Sequence, residues 1–275
     1  MEEAFKESLA KLVSNINHIE LELPYRNKIY PPPVSTAKSI LDRIGFLMFP
    51  RLLPIKDGAI NCQNNVAQSL YLEINDCLQI IGISIDIEAV TMKIISEIPK
   101  VKSKLVKDAI AIFEGDPAAV SVEEIIICYP GFLATMIYRI ANVFYQSKIP
   151  YFPRMMAEIA HERTGVDIHP GARIGESLCI DHGTGIVIGE TAEIGDRVKI
   201  YQGVTIGAKS FASDGEGRLI RGEKRHPTIG NDCIIYAGAT ILGGDTVIGD
   251  GCIIGGNVWL THSLPPRHTV YYREK

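Results

Sequence analysis

Apolar residues change their spacing part-way along the chain. In the first half, segments 86–115 and 121–146 place apolar residues three and four positions apart, which is the period of an amphipathic helix. Asp86 can cap the first of these helices, and Ser121 with Glu124 has the form of a capping box. Proline-containing stretches at 30–35 and 49–58 are expected to separate helices. The first half therefore predicts a helical domain whose apolar faces form a bundle core.

From residue 166 onward the apolar pattern instead repeats every six residues. Glycine often follows the aliphatic position, and 19 of the 25 glycines fall in residues 167–275. A parallel strand crossover needs a dozen or more residues, so the short repeat predicts a β-solenoid with its aliphatic side chains pointing inward. The ladder slips by two residues after Ile180 and by one after Ile241. Its inward positions are Ile168, Ile174, Ile180, Ile188, Ile194, Ile200, Ile206, Ile229, Ile235, Ile241, Ile248, Ile254 and Leu260.

One polar and charged stretch, residues 208–228, interrupts the ladder. It has no inward aliphatic series, so in a solenoid it must leave the coil as a loop. Its segment Lys224–Arg225–His226–Pro227 stands where the loop rejoins the coil, which is a suitable place for substrate contacts. We therefore predict an α+β protein with a helical domain at 1–165 and a solenoid domain at 166–275 that carries the loop 208–228.

Composition and charge exclude several classes of function. The net charge is −4, from 28 basic and 32 acidic residues that are well mixed, which argues against a nucleic-acid partner or an anionic membrane surface. No run of about 18 apolar residues occurs, and the acidic, amphipathic start does not resemble a signal peptide. We expect a cytoplasmic protein that does not span a membrane. The six cysteines lack metal-ligand spacing and are expected to be reduced and buried.

The glycine-rich stretch 179–185, CIDHGTG, places a carboxylate beside an imidazole. Imidazole is the natural general base near neutral pH, which makes His182 a candidate catalytic residue. Successive residues of a strand point in opposite directions, so Asp181 is poorly placed to orient His182. We expect the chemistry at the two-residue slip between Ile180 and Ile188.

Three motifs, VDIHP (166–170), DHGTGIVIGET (181–191) and RHPTIG (225–230), resemble those of bacterial serine acetyltransferases. The resemblance runs from about Asp116 to Leu264. It implies a helical N-terminal domain on a left-handed parallel β-helix of hexapeptide repeats, assembled as a homotrimer or a dimer of trimers. The implied reaction transfers acetyl from acetyl-CoA to the hydroxyl of L-serine, the first step of cysteine biosynthesis, without a metal.

The resemblance also implies roles for individual residues. His182 matches the family's general base and Asp167 the carboxylate that orients it. Because a solenoid coil takes about 18 residues, we expect these two on neighbouring coils. Asp181 and Asp116 match carboxylates that face the amino acid, Asp116 reaching its ammonium group from the helical domain.

The substrate carboxylate is expected to meet Arg225 and His226, contributed by a neighbouring subunit. Guanidinium suits this task because it can form two parallel hydrogen bonds to a carboxylate. For acetyl-CoA the motif matches are small residues at the corners of the coil, and nearby basic side chains can meet its phosphates. The matched positions are Gly207, Ala208, Ala237 and Gly256, and the basic ones are Lys209, Arg218, Arg221 and Lys224.

Some family members end in an isoleucine that enters O-acetylserine sulfhydrylase; this sequence ends in YYREK, so we do not expect that partner. Inhibition by cysteine would use the serine site.

Three alternatives stay open. They are a hexapeptide-repeat acetyltransferase for another hydroxyl substrate such as a sugar, a γ-class carbonic anhydrase with zinc on His182, His226 and His262, and a non-enzymatic scaffold.

Overall fold

The computed structural model describes residues 6–8, 11, 14, 32–54, 63–82, 85–211, 213–220 and 222–272. Helices precede strands along the chain, as the two apolar periods predict. The strands pair in parallel and form three sheets. The helices are α1 (Val34–Met48), α2 (Gln63–Ile81), α3 (Ile87–Gly115), α4 (Val122–Cys128), α5 (Pro130–Gln146) and α6 (Phe152–Thr164).

Local sequence signals account for the starts of α3, α4 and α5. Asp86 caps α3 by accepting a hydrogen bond from the Ala89 amide at 3.0 Å. Ser121 likewise accepts from the Glu124 amide at 3.2 Å, but the Glu124 carboxylate returns to the amide of Val120 instead of completing a capping box. The predicted helical segment 121–146 is two helices, because Pro130 lacks an amide hydrogen and begins α5 as a separate helix.

The solenoid is built from strands of two or three residues. Each strand inside a sheet pairs with strands one coil before and after it, and the three sheets form the faces of a β-helix, consistent with the left-handed coil expected above. The strands are β1 (Asp167–Ile168), β2 (Arg173–Ile174), β3 (Cys179–Ile180), β4 (Val187–Ile188), β5 (Glu193–Ile194), β6 (Lys199–Ile200), β7 (Thr205–Gly207), β8 (Thr228–Ile229), β9 (Ile234–Ile235), β10 (Thr240–Leu242), β11 (Val247–Ile248), β12 (Ile253–Ile254), β13 (Trp259–Leu260) and β14 (Thr269–Val270).

The aliphatic ladder predicted from the sequence is confirmed as the solenoid core. All thirteen inward positions are buried, and equivalents stack in register, as Ile168 does on Ile188 and Ile188 on Ile206. In most strands the neighbouring position is polar or exposed, but in β3 both Cys179 and Ile180 are buried. Parallel strands this short are stabilised by stacking on their neighbours, because an isolated coil could not bury its own apolar face.

Two insertions interrupt the regular coil. Asp167 pairs with Val187, so the first coil takes 20 residues, whereas Val187 pairs with Thr205 and that coil takes 18. The loop after β7 leaves the coil at residue 208, and the next strand, β8, starts at Thr228. Within the loop, Asp214 accepts hydrogen bonds from the amides of residues 216 and 218, which forms a local turn.

A buried ion pair joins the helices to the solenoid. Arg139 of α5 contacts both carboxylate oxygens of Asp108 of α3 at 2.6 and 2.8 Å, and it also donates to the carbonyl of Gly175 at 2.7 Å. Asp108 is fully buried and in addition accepts from the Leu178 amide. Cys179 packs in the helical core and Tyr138 in the solenoid core. The two sets of elements therefore share side chains across the predicted boundary.

Four of the five described cysteines are buried, as expected, but Cys128 at the end of α4 is exposed; Cys62 lies outside the described residues. Within the described ranges no single helix is long and apolar enough to cross a membrane. Taken together, α4 and α5 have that length and composition, but they are bent by 73° relative to one another.

Candidate active site

His182 lies in an enlarged corner of the coil. The corner between β3 and β4 holds two more residues than the one between β6 and β7, which locates the predicted two-residue slip. His182 adopts a left-handed backbone conformation with φ 57°, followed by Gly183 at φ 89°. A side chain in this conformation is uncommon, and here it is 73% exposed. The corner thus turns the imidazole out of the aliphatic ladder and into solvent.

One carboxylate lies beside this imidazole, and a second, from the helical region, interacts with it electrostatically. Asp181 Oδ1 is 3.7 Å from His182 Nε2, and the Asp181 side chain is only 13% exposed. Asp116, directly after α3, accepts hydrogen bonds from the Tyr129 hydroxyl at 2.7 Å and from the Ala118 amide at 2.9 Å. The structure therefore brings together Asp116 from the helical region with Asp181 and His182 from the solenoid.

The hydrogen bond between Tyr129 and Asp116 shifts the pKa values of both groups. Chiefly this bond, then the hydrogen bond from the Ala118 amide and weaker contributions from Lys199 and His182, holds the pKa of Asp116 below its usual value. The same bond raises the pKa of Tyr129 to about 12. At neutral pH Asp116 is thus an anion and Tyr129 a neutral donor.

Lys199 is a member of this cluster that the sequence analysis missed. Its ammonium lies 3.4 Å from Asp181 Oδ2 and donates to the carbonyl of Gly115 at 2.6 Å. Lys199 pairs in register with Cys179 on the preceding coil, two residues before Asp181. The register of the six-residue repeat was the one sequence signal that could have identified it.

Asp167 has a different neighbour from the one expected. Its carboxylate faces Arg154 of α6 at 3.9 Å, and among the described residues no hydrogen bond joins it to His182. The 20-residue first coil also places both residues in the same coil, so the expectation of neighbouring coils is wrong. The orienting role of Asp167 stays a prediction.

Arg225 and His226 form a second polar cluster. Arg225 Nη2 donates to Glu190 Oε2 at 2.6 Å, and the Tyr145 hydroxyl donates to the other oxygen of Glu190 at 3.0 Å. Within the part of the chain that the structure describes, no hydrogen bond or ion pair connects this cluster with Asp116, Asp181 or His182. One chain alone therefore presents two separate halves of the predicted site.

His226 is held as a neutral ring in this second cluster. The side chain is buried, and burial, with Arg225 beside it, lowers its pKa from 6.5 to about 4. Its Nδ1 accepts from the Thr191 amide at 3.1 Å and lies 2.8 Å from the Thr191 hydroxyl. An accepting Nδ1 places the proton of the neutral ring on Nε2, and no residue that the structure describes accepts a hydrogen bond from that N–H.

The positions matched to acetyl-CoA lie at the two ends of one sheet. Gly207 ends β7 and Ala208 follows it, where the loop leaves the coil, whereas Ala237 and Gly256 occupy equivalent corners of successive coils. A Cβ atom at Gly256 would lie 3.2 Å from the Ala237 carbonyl oxygen, so the corner is closely stacked. The two pairs therefore lie at opposite ends of the strands of this sheet.

No three histidine, cysteine, aspartate or glutamate side chains converge as a metal site within the described residues. The zinc alternative therefore has no set of ligands in the described part of a single chain.

Comparison with known proteins gives consistent results. No family model matches the chain. A Synechococcus elongatus protein named "serine acetyltransferase, plasmid" is 57% identical over 168 residues, which are 61% of this chain and 52% of that protein. The serine acetyltransferase of Helicobacter pylori is 43% identical over 158 residues, 58% of this chain and 86% of that protein.

Solved structures extend the similarity to the helices. The crystal structure of Entamoeba histolytica serine acetyltransferase 1 in complex with L-cysteine has a TM-score of 0.77 and 38% identity, and the match covers 85% of this chain and 86% of that one. The chain spans about half the length of the Synechococcus relative named above, but it covers most of the Helicobacter and Entamoeba proteins at identities well above 30%. The chain belongs to the serine acetyltransferase family.

Proposed function

We propose that this chain is a serine O-acetyltransferase, which transfers acetyl from acetyl-CoA to the hydroxyl of L-serine and yields O-acetylserine and CoA, as the first step of cysteine biosynthesis. The observation that carries the proposal is the meeting of Asp116, Asp181 and His182 at one corner of the coil. Two carboxylates beside an exposed imidazole suit a substrate that has both an ammonium group and a hydroxyl.

In the proposed reaction the ammonium of serine binds between Asp116 and Asp181. His182 removes the proton of the serine hydroxyl as its oxygen attacks the thioester carbonyl of acetyl-CoA. A tetrahedral intermediate forms and then releases the CoA thiolate as the carbon–sulfur bond breaks. The imidazolium returns the proton to that sulfur, so the base is regenerated and no further reactant is needed. Asp167 is proposed to orient the imidazole in this step.

The other half of the substrate site is proposed to come from a second copy of the chain. Arg225 and the Nε2–H of His226 would bind the serine carboxylate across a subunit boundary of a trimer. Acetyl-CoA is proposed to contact the small residues Gly207, Ala208, Ala237 and Gly256. L-Cysteine has the same ammonium and carboxylate groups, so we propose that it competes with serine for this site.

The assay is release of CoA from acetyl-CoA with L-serine as acceptor. Three acceptors distinguish the alternatives: L-serine, 3-hydroxypropionate, which lacks the ammonium group, and a sugar such as a galactoside. We expect turnover with L-serine alone. A preference for the sugar, or equal rates with 3-hydroxypropionate, would contradict the proposal.

Variants of His182 test the base directly. His182→Ala removes the imidazole, and His182→Gly removes it while relieving the left-handed backbone. We expect both to lose at least about a hundredfold in kcat, the range of general-base catalysis, with unchanged folding by circular dichroism. If a folded glycine variant keeps serine-dependent turnover, His182 is not the base.

A further inference from the structure

Lys199 connects three groups at the boundary between helices and solenoid. Its ammonium donates to the carbonyl of Gly115, the last residue of α3, and pairs with Asp181. The ammonium also lies 4.6 Å above the centre of the Tyr201 ring, which stacks on Tyr236 at 5.1 Å. The side chain is 18% exposed. A lysine held on three sides at this depth has a fixed position.

The contact with Gly115 places Asp116, the next residue along the chain. A Cβ atom at Gly115 would lie 3.0 Å from Cys179 Sγ and 3.4 Å from Lys199 Nζ, so the end of α3 is packed directly on β3. Asp116 is the first residue beyond this contact and is the C-terminal cap of α3. Lys199 therefore fixes the separation between Asp116 and Asp181, although these carboxylates belong to different halves of the fold.

The ammonium of Lys199 also offsets part of the negative charge of the cluster. The groups around it are the two carboxylates, the neutral Tyr129 hydroxyl and the buried thiol of Cys179, whose pKa burial raises to about 12. With Lys199 protonated, the two carboxylates and one ammonium leave one net negative charge. That charge matches a single incoming ammonium group, whereas two uncompensated carboxylates close together would repel one another.

We propose that Lys199 is a positioning residue for the amino-acid substrate, which holds Asp116 and Asp181 at the spacing and net charge that one ammonium group requires. This inference rests on the proposed function. It assigns to Lys199 the selection of substrates that carry an ammonium group, as serine does. Lys199 itself transfers no proton and forms no bond to the reacting atoms.

The kinetic test compares Lys199→Met with Lys107→Met. Lys107 is a matched control because it also joins α3 to the solenoid, through Glu176 at 2.5 Å, but at an exposed position. For Lys199→Met we expect the KM for serine to rise about tenfold or more, with the KM for acetyl-CoA within about twofold of wild type. Lys199→Arg, which keeps the charge, should recover most of the serine KM. Lys107→Met should leave both constants unchanged.

Equal rises in both KM values, or no rescue by arginine, would overturn the proposal, because a lysine that only supports the fold would not separate the two substrates. If Lys199→Met does not fold, Lys199→Gln keeps a hydrogen-bond donor for Gly115 and removes the charge. The same rise in the serine KM is expected for it, and an unchanged serine KM in folded Lys199→Gln would refute the charge argument.

Amide hydrogen exchange provides a measurement that does not depend on turnover. Peptides covering residues 113–121 should exchange faster in Lys199→Met than in wild type or Lys107→Met, because the tether to Gly115 is lost. Unchanged exchange would refute the positioning role. If the wild-type protein releases no CoA with serine, the proposed function fails, and hydrogen exchange still decides whether Lys199 holds Asp116.

Discussion

At the scale of single residues, burial determines the charge state of His226. The folded protein keeps its ring neutral down to a pKa of about 4, whereas an unfolded chain takes up the proton near the ordinary value of 6.5. Between these values the unfolded state binds more protons, so stability falls as the pH is lowered from 6.5 towards 4 and is fully present above 6.5. Lowering the pH thus favours unfolding at this residue.

We expect His226→Asn to lose this part of the pH dependence. The asparagine carbonyl can replace Nδ1 as the acceptor for the Thr191 amide, but it does not titrate. The wild-type free energy of unfolding should fall by about 2 kcal/mol more than that of the variant between pH 7 and pH 4.5. Urea titrations at both pH values, at one protein concentration, measure this. His262→Asn, at an exposed histidine, is the control and should keep the wild-type slope. An unchanged slope in His226→Asn would refute the assignment.

At the scale of elements, the docking of α5 on β3 supports the corner that carries His182. Gly131, in the first turn of α5, packs against Ile180, the last residue before Asp181 and His182. The sequence predicted a helix here and an inward isoleucine there, but it did not predict their contact. Residues 49 positions apart meet because Pro130 starts a new helix at this point. The apolar periodicity of a helix does not by itself predict where the next helix packs.

The close contact predicts that Gly131→Ala is destabilising. The added Cβ atom would lie 2.3 Å from the Ile180 carbonyl oxygen, so either α5 or β3 must shift. Overpacking of this kind costs about 1–3 kcal/mol, and the shift should also lower kcat by moving His182. Thermal unfolding and the CoA-release assay measure the two effects. Gly215→Ala is the control, since no atom lies within 4 Å of its added Cβ, and a stability equal to that control would contradict the packing argument.

At the scale of the whole molecule, the two polar clusters on one chain are separate from one another, and the proposed serine site needs both. His182 with Asp116 and Asp181 form one half-site, and Arg225 with His226 form the other on the same chain. The serine site proposed above is complete only when half-sites of two copies meet. This arrangement requires a head-to-tail interface of the kind that closes rings.

Mixed assemblies test this arrangement. His182→Ala and Arg225→Ala subunits should each form inactive assemblies, because every site lacks one half. Mixed trimers purified through both tags should regain roughly a third of wild-type activity, because one of the three sites in each such ring has two intact halves. Differently tagged subunits, purified through both tags, provide the sample. No recovery in mixed assemblies would place the entire site within one chain.

Much of this protein follows from its sequence alone. Apolar spacing of three and four residues predicted the helical region, and the ladder from Ile168 to Leu260 predicted the solenoid. Both predictions work because these patterns reflect local backbone geometry. The slip after Ile180 located the corner of His182. The sequence did not determine the partners of the charged side chains. Lys199 contacts Gly115, 84 residues away, and Arg139 contacts Asp108, 31 residues away. Such pairs form only when distant elements pack together, so the tertiary structure alone decided them.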